Sequence, residues 1–327
     1  WSRTYYTLKF YVDFTFRFYF RTTVRGLEDI PKDKPLIFAA NHQNALMDAL
    51  AVLCVKTWQP VFLARADIFN KPTINKILTF LKILPIYRIR DGYVNLQLND
   101  EIFRKTMDVM KNRNGLVILP EGNHGDHKRL RPLKKGIVRI AFQSEDASNG
   151  DFDIHIVPVG LDYTNYINAR SHLHVRFGKP IRVKPMLDEY RENQPRAYNE
   201  LLNKIKSGIK DVMVDIEDEE TYEEQKTLVD LFAKIYLRKK KMPRSHPNIV
   251  DAQKHIIERL KAYRESDEDY NNFLQKVAHY KQLMKSISLN PSKPLLSSAN
   301  KWGVSGQLLL FCLLYTSPSP RDRTRSR

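Results

Sequence analysis

Short apolar runs alternate with amphipathic stretches between residues 35 and 185 of the chain. The runs predict strands that are buried on both faces, and the stretches between them repeat apolar residues at the spacing of a helix. Strands alternating with helices predict an α/β domain with a mostly parallel or mixed central sheet flanked by helices. The predicted strands cover residues 36–40, 61–64, 83–87, 116–119, 154–159, 172–177 and 181–183, and the predicted helices cover 45–56, 73–81, 94–111 and 137–143.

The first 25 residues are rich in tyrosine and phenylalanine and carry Lys9, Asp13, Arg17 and Arg21 at four-residue intervals. On a helix these charges form one polar stripe, and their number argues against a helix that crosses a bilayer. Aromatic rings with Lys and Arg are typical of an amphipathic helix lying in the membrane interface, which is the prediction for residues 1–25. Two alternatives stay open: a helix packed on the domain itself, and a short strand suggested by the alternating phenylalanines between residues 14 and 20.

The composition changes after Pro185 to charged sequence with apolar residues at helical spacing. The predicted organisation is therefore an N-terminal segment (1–25), the α/β domain (26–185) and a charged helical extension (186–300), to which no chemistry is assigned. Residues 301–311 are expected to begin a truncated apolar segment. Residues 312–327 resemble a translated sequencing adapter and are expected to be read-through rather than native protein.

The formal net charge of +17 favours anionic partners, namely a phosphorylated substrate, an anionic membrane surface or nucleic acid. The chain carries no nucleic-acid-binding motif, glycine-rich phosphate loop or CxxC pair, so nucleic acid is not expected among the partners. Cys54 and Cys312 cannot form a disulfide framework, which favours a reducing compartment.

A histidine and an aspartate, His42 and Asp48, come shortly after the predicted strand 36–40. Catalytic groups collect at strand ends in α/β folds, and histidine is the side chain best suited to take up a proton near neutral pH. A carboxylate bonded to its second ring nitrogen fixes the tautomer and stabilises the imidazolium. On one continuous helix the two side chains would lie about 240° apart, so His42 is expected in the loop and Asp48 on the helix.

Three further predicted strands end in groups that suit a binding site. Arg88 follows one strand, Pro120-Glu121-Gly122 follows another and leads into a basic loop, and Val157-Pro158-Val159 closes a third. A glutamate that can accept a hydroxyl hydrogen bond, beside cations that can hold phosphate, predicts a site for a phosphorylated polyol. The cations of the loop are Lys128, Arg129, Arg131, Lys134 and Lys135.

These four blocks resemble, in order and over residues 25–185, those of the glycerol-3-phosphate and lysophospholipid (1-acylglycerol-3-phosphate) acyltransferase family. His42 and Asp48 resemble its catalytic His-x4-Asp block with one additional residue. This His-x5-Asp spacing is similar to that of fungal-type glycerol-3-phosphate acyltransferases and related bacterial proteins. Arg88 matches the arginine of the second block, with Arg90 as an alternative.

The third block of the resemblance is Pro120-Glu121-Gly122, where Asn123-His124 replaces the usual Thr-Arg. The resemblance implies that Glu121 and Gly122, with Asn123, position the acceptor. The phosphate contact that the usual arginine makes would fall to one of Arg129, Arg131 and Lys134.

By this resemblance, the protein is expected to move a fatty acyl group from acyl-CoA or acyl-ACP to glycerol-3-phosphate or 1-acylglycerol-3-phosphate. His42 would act as general base and Asp48 would orient it. The thioester is already activated, so the acceptor alcohol would attack directly without an acyl-enzyme. The thioester is a co-substrate, and no metal or redox cofactor is implied.

The expected partners are the acyl thioester donor, the phosphorylated glycerol acceptor, a membrane surface and an acyl carrier protein. The expected location is the cytoplasmic face of a membrane, in a bacterium the inner membrane. Two alternatives are an acyltransferase with another lysolipid or amino-lipid acceptor, and a non-catalytic basic peripheral membrane protein. Two local alternatives are a metal cluster at His124, Asp126 and His127, which lacks a further ligand at the usual spacing, and an ion pair of Arg88 with Asp91.

Overall fold

The computed structural model describes residues 3–55, 60–87, 98–266 and 270–286. Its strands are β1 (Arg21–Arg25), β2 (Leu36–Ala40), β3 (Val61–Arg65), β4 (Ile83–Ile86), β5 (Leu116–Ile118), β6 (His155–Tyr163), β7 (His172–Phe177) and β8 (Ile181–Arg182). Its helices are α1 (Arg3–Tyr19), α2 (Ala45–Val55), α3 (Pro72–Phe80), α4 (Leu98–Lys111), α5 (Gly136–Ala147), α6 (Leu187–Glu192), α7 (Gln194–Val212), α8 (Tyr222–Lys239), α9 (His246–Ser266) and α10 (Tyr270–Ser286).

The described strands form one mixed eight-stranded sheet, in the order β1-β7-β6-β2-β5-β3-β4 with β8 beside β6. Five neighbouring strands are parallel to one another, namely β6, β2, β5, β3 and β4. Strands β7 and β8 pair with β6 in the antiparallel direction. The carboxyl ends of the parallel strands therefore share one edge of the sheet. The predicted α/β class with a mixed central sheet is confirmed.

Both faces of the central strands β6, β2, β5 and β3 are buried because successive apolar residues enter different hydrophobic cores. In β2, Ile37 and Ala39 belong to a core that also contains apolar residues of α4, α5, α6 and α7. Leu36, Phe38 and Ala40 belong to the core formed with α1 and α2. This alternation explains why the strand is a continuous apolar run rather than a run with a polar face.

Helix α1 contacts α2 through two cations of its polar stripe, and it buries some of its aromatic rings while exposing others. The Lys9 ammonium is buried, where it bonds to Asp13 at 2.7 Å and to the carbonyl of Leu53 at 3.4 Å, and Arg17 donates to the carbonyl of Cys54 at 3.2 Å. These carbonyls lie in the last turn of α2, where backbone acceptors have no partner within the helix and cations are favoured. The stripe therefore fixes α1 on α2, and the exposed rings of the helix are those of Tyr6, Phe10, Tyr11, Phe14 and Phe18.

The packed domain continues beyond residue 185, where the composition changes. Helix α7 packs on the sheet with Leu201, Ile205 and Ile209 fully buried. At Gly160 of β6 an added Cβ would lie 2.1 Å from the carbonyl oxygen of Val212, so only glycine permits this close approach. Helices α8 to α10 form smaller clusters of their own. None of the described helices has the length and the hydropathy needed to cross a bilayer.

Candidate active site

The candidate residues lie along the shared carboxyl edge of the parallel strands. In the spatial order of the sheet, this edge carries Tyr163 at the end of β6, His42 after β2, Glu121 after β5 and Arg65 at the end of β3. The edge beyond the strand ends is the usual ligand position in open α/β sheets. Residues 88–97, and with them Arg88, lie outside the described part of the chain.

His42 and Asp48 form a hydrogen-bonded pair in the arrangement predicted from their spacing. His42 Nδ1 lies 2.9 Å from Asp48 Oδ2, with His42 in the loop and Asp48 in the first turn of α2. A carboxylate only accepts hydrogen bonds, so Nδ1 carries the proton and Nε2 is the basic nitrogen. The His42 side chain is 14% exposed and that of Asp48 is fully buried. The imidazole therefore reaches the site, while the carboxylate orients it from behind.

Asp48 also shapes the turn that carries His42. Its Oδ2 accepts hydrogen bonds from the backbone N–H groups of Gln43 and Asn44, both at 2.7 Å. Ala45, where α2 begins, has φ of 42°, a left-handed conformation that is rare for a residue with a Cβ. Strain of this kind persists only where the surroundings enforce it, and the bonds to Asp48 are such a constraint.

Glu121 holds the His42 loop from the neighbouring strand end. Its Oε1 accepts from the His42 backbone N–H at 2.6 Å, and its Oε2 accepts from Arg131 Nε at 2.8 Å. Arg131 in turn donates to the carbonyl of His42 at 2.8 Å and to that of Asn123. Burial raises the pKa of Glu121, and the bonds to Arg131 and to the His42 N–H oppose that rise. Both Glu121 oxygens are thus bonded within the protein rather than directed toward the site opening.

The turn between Glu121 and the basic loop needs its glycine. Gly122 has φ of +73°, and its N–H donates to the carbonyl of Leu119 at 3.1 Å. The Lys134 backbone N–H donates to the carbonyl of Pro120 at 2.8 Å, which closes the loop on itself. An added Cβ at Gly122 would lie 3.6 Å from Lys134 Cγ, so the exposed Lys134 side chain runs beside this turn.

The predicted phosphate cations fall into three different environments. Arg131 braces Glu121, and Arg129 forms an ion pair with Glu219 at 2.5 Å, directed toward the helical extension. Lys134 makes no ion pair with any described residue, which leaves its ammonium available to a ligand. Asn123 is exposed, and its side-chain oxygen accepts from Arg65 at 3.1 Å.

Sequence reasoning missed two contributors to this region. Arg65, at the end of β3, approaches the site through Asn123, and the strand-end argument used for Arg88 applies to it equally. The helical extension, to which no chemistry was assigned, holds residues 128–130 of the basic loop. The Tyr222 hydroxyl accepts from the Lys128 N–H at 2.8 Å, and Asp215 accepts from the Leu130 N–H at 2.8 Å. No sequence pattern links these distant segments.

The histidines outside the pair have other surroundings. His124 lies with its ring 5.6 Å from that of His42, and His127 stacks on Tyr222 at 4.2 Å. Among the described residues, no set of three His, Cys, Asp or Glu side chains is arranged to hold a metal ion.

A model of the family described as Acyltransferase matches residues 21–162, which run from β1 to β6 and include the whole His42, Asp48 and Glu121 arrangement. Residues 21–162 are therefore similar to the acyltransferase family, in agreement with the family predicted from the four sequence blocks.

Relatives of known activity align with about half of the chain. Glycerol-3-phosphate O-acyltransferase 1 of Saccharomyces cerevisiae is 28% identical over 166 residues, which are 50% of this chain and 21% of that protein. The 1-acyl-sn-glycerol-3-phosphate acyltransferase of Borreliella burgdorferi is 26% identical over 166 residues, or 61% of its length. That of Cocos nucifera is 27% identical over 173 residues, or 52% of its length. The chain thus matches less than two thirds of each of these relatives.

Among solved structures, the 1-acyl-sn-glycerophosphate acyltransferase of Thermotoga maritima is similar at a TM-score of 0.41 and 20% identity. The similarity covers 60% of this chain and 79% of that chain.

Proposed function

We propose that the protein is an O-acyltransferase that moves a fatty acyl group from a thioester to the hydroxyl of glycerol-3-phosphate or 1-acylglycerol-3-phosphate. The observation that carries the proposal is the 2.9 Å contact of His42 Nδ1 with buried Asp48, at the sheet edge where an acyltransferase would bind its substrates. The names of the aligned relatives support the two acceptors. Acyl-CoA and acyl-ACP are the proposed donors.

The reaction follows from the orientation of the imidazole. His42 Nε2 takes the proton of the acceptor hydroxyl while the hydroxyl oxygen attacks the carbonyl carbon of the thioester. The tetrahedral intermediate then collapses with cleavage of the carbon–sulfur bond, and the imidazolium returns its proton to the departing thiolate. Asp48 holds the ring and stabilises its charged form, a role that carboxylates have in histidine-based catalysis generally. Proton gain and loss balance within one cycle, and the carbon and sulfur atoms keep their oxidation states, so the proposed steps need no redox cofactor.

The acceptor phosphate is proposed to bind at Lys134 and Arg88. Lys134 and Lys135 are the loop cations without an ion pair among the described residues, and Lys134 is the one that runs beside the Gly122 turn. Arg88 comes two residues after the end of β4 in the sequence. Arg131 and Glu121 are proposed to position the His42 loop rather than to touch the acceptor, since their polar atoms are bonded to one another and to the His42 backbone.

The exposed rings of α1 are proposed to rest in the interface of a membrane. Phe10 is 74% exposed, Phe14 is 65% exposed and Phe18 is 57% exposed, and their four-residue spacing places them on one side of the helix. Such a row of large rings costs free energy in water and is typical of an interfacial contact. A membrane at this side would supply the lipid acceptor and take up the product.

The test is an assay of the purified protein with glycerol-3-phosphate and 1-acylglycerol-3-phosphate, each offered with acyl-CoA and with acyl-ACP. We expect a new ester, detected by mass spectrometry, with at least one of the four combinations. Lysolipids without a free phosphate monoester, and an amino-lipid, serve as further acceptors. Ester formation with only these acceptors would change the proposed substrate, and its absence with every acceptor would favour a non-catalytic membrane protein.

A further inference from the structure

One oxygen of the Asp48 carboxylate has no well-formed hydrogen bond. Oδ2 accepts from His42 Nδ1 and from two backbone N–H groups, whereas Oδ1 is buried and makes no bond of good geometry to any described residue. A buried carboxylate oxygen without a donor is costly, because it has lost its water and gained nothing in exchange.

The hydroxyl of Tyr163 is a buried donor that suits the unpaired oxygen of Asp48. Tyr163 ends β6, its side chain is buried, and its hydroxyl likewise makes no bond of good geometry to any described residue. The negative charge and the hydrogen-bonding capacity of Asp48 contribute, after burial, to raising the pKa of Tyr163 well above its ordinary value. The contacts of Tyr166 place the phenol in the same region as the carboxylate. Its ring packs against that of Tyr163, and its hydroxyl donates to Gln43 Oε1 at 3.1 Å, while the Gln43 backbone N–H donates to Asp48.

The Tyr163 ring is held firmly in this position. It packs edge-on against Phe20 with ring centres 5.4 Å apart, and against Tyr166 at 5.6 Å. Asn41, beside His42, fixes the strand from the other side by exchanging two hydrogen bonds with the backbone of Leu161, at 3.1 and 2.7 Å. The end of β6 and the His42 turn thus form one rigid unit.

We propose that Tyr163 is a positioning residue of this site, whose hydroxyl donates a hydrogen bond to Asp48 Oδ1. The inference rests on the proposed function of the His42–Asp48 pair. With this bond Asp48 has a donor on each oxygen, so the carboxylate cannot rotate away from the imidazole when His42 accepts the proton. Tyr163 touches neither substrate, and it acts only through Asp48.

The test compares Tyr163→Phe with Tyr190→Phe, which removes the hydroxyl of another buried tyrosine, in α6. Tyr163→Phe should lower kcat about 10-fold, the effect of losing one charge-assisted hydrogen bond, and leave KM for both substrates within about twofold. Tyr190→Phe should leave both constants unchanged. In an Asp48→Asn background, Tyr163→Phe should lower kcat by less than about twofold, because the charged partner is already absent.

A second measurement does not depend on turnover. In protein labelled with ¹⁵N-histidine, the Nδ1–H resonance of His42 should move in Tyr163→Phe and stay in place in Tyr190→Phe. A moved resonance in a protein without acyl-transfer activity would support the contact and reject the proposed function. Unchanged kcat and an unmoved resonance in folded Tyr163→Phe would overturn the inference. An equal loss of kcat in the wild-type and Asp48→Asn backgrounds would also overturn it, by showing a general structural effect.

Discussion

Glu121 Oε1 accepts a 2.6 Å hydrogen bond from the backbone N–H of His42, so the loop after β5 directly supports the loop after β2. The sequence resemblance implied that Glu121 contacts the acceptor, whereas the geometry gives it this supporting bond and the bond to Arg131. The two roles differ in their kinetic consequences.

Glu121→Gln should lower kcat by about 10- to 100-fold and leave KM for the phosphorylated acceptor nearly unchanged. Glutamine has only one acceptor oxygen, so its NH₂ group must face either the His42 N–H or the Arg131 guanidinium, both of which are donors. One of these donors then loses its acceptor, and the His42 loop shifts. Steady-state kinetics with varied acceptor measure both constants, and exposed Glu220→Gln is the matched control. A large rise in acceptor KM at constant kcat would instead show that Glu121 binds the acceptor, as the sequence resemblance implied.

Lys134→Ala should raise KM for the phosphorylated acceptor about 10-fold and change KM for the thioester little. The Lys134 ammonium has no ion pair among the described residues and lies beside the Gly122 turn, so its loss removes the proposed ground-state phosphate contact. The control is Lys179→Ala, an exposed cation after β7 at the opposite edge of the sheet. Parallel rises in both KM values would point to a distorted loop rather than to a lost phosphate contact.

Phe10→Ser/Phe14→Ser should weaken binding to anionic liposomes at least about 10-fold without lowering the melting temperature. Both rings are largely exposed, so the fold loses little, whereas a fully buried aromatic ring contributes about 1.5–3 kcal/mol to membrane insertion. Co-sedimentation with circular dichroism as the folding control measures both effects. Deletion of residues 1–23 is less suitable, because it would also remove Phe16, Tyr19 and Phe20 from the core.

The control for this prediction is Phe16→Ser, which replaces a buried ring of α1. That substitution should lower the melting temperature instead of selectively weakening liposome binding. If the folded double variant sedimented with liposomes as the wild type does, the exposed rings of α1 would not be the membrane contact.

The free energy of unfolding should decrease as the pH falls from 7 to 5. His174 and His246 face each other, and burial lowers the pKa of each to about 4, below the 6.5 of an exposed imidazole. Arg176 and Arg25 further lower the pKa of His174, while Asp251 opposes them. Between these two pKa values the unfolded chain binds more protons than the folded protein, so stability is lost as pH falls.

We expect roughly 1–2 kcal/mol of this loss from each imidazole between pH 7 and 5, measured by urea unfolding at both pH values. His174→Gln keeps a polar side chain beside Thr23 but cannot titrate. The variant should therefore lose less unfolding free energy between pH 7 and 5, by the amount that His174 contributes. Identical pH dependence of the variant and the wild type would contradict this explanation.

The sequence predicted the central strands well because their burial on both faces leaves a continuous apolar run. Strands 36–40 and 172–177 have the predicted bounds in the structure, and the remaining predicted strands are observed with shifted ends. Strand β1 was missed because Arg21–Arg25 is an edge strand of mostly polar residues, and it forms only where β7 offers a partner. Its pairing partners in β7 lie 151 residues further along the chain.

In the candidate site, the contact between residues close in sequence was predicted, and the contacts between distant segments were not. The His42–Asp48 contact could be inferred because a short turn joins the two residues. The contacts of Glu121 and Arg131 with His42 join the loops that follow different strands, and a list of suitable side chains does not tell which polar atoms are already bonded. The contacts of Lys9 and Arg17 with α2 are a further case, since the same charge spacing suits either orientation of the helix.

The central claim is that His42 is the general base of acyl transfer, and the most direct measurement is the turnover of purified His42→Ala with a phosphorylated glycerol acceptor and its acyl thioester. A positioned general base typically contributes about 10²–10⁴-fold to the rate. We therefore predict a fall in kcat of that size, with an unchanged melting temperature and nearly unchanged thioester binding. Turnover close to that of the wild type in the folded variant would contradict the account.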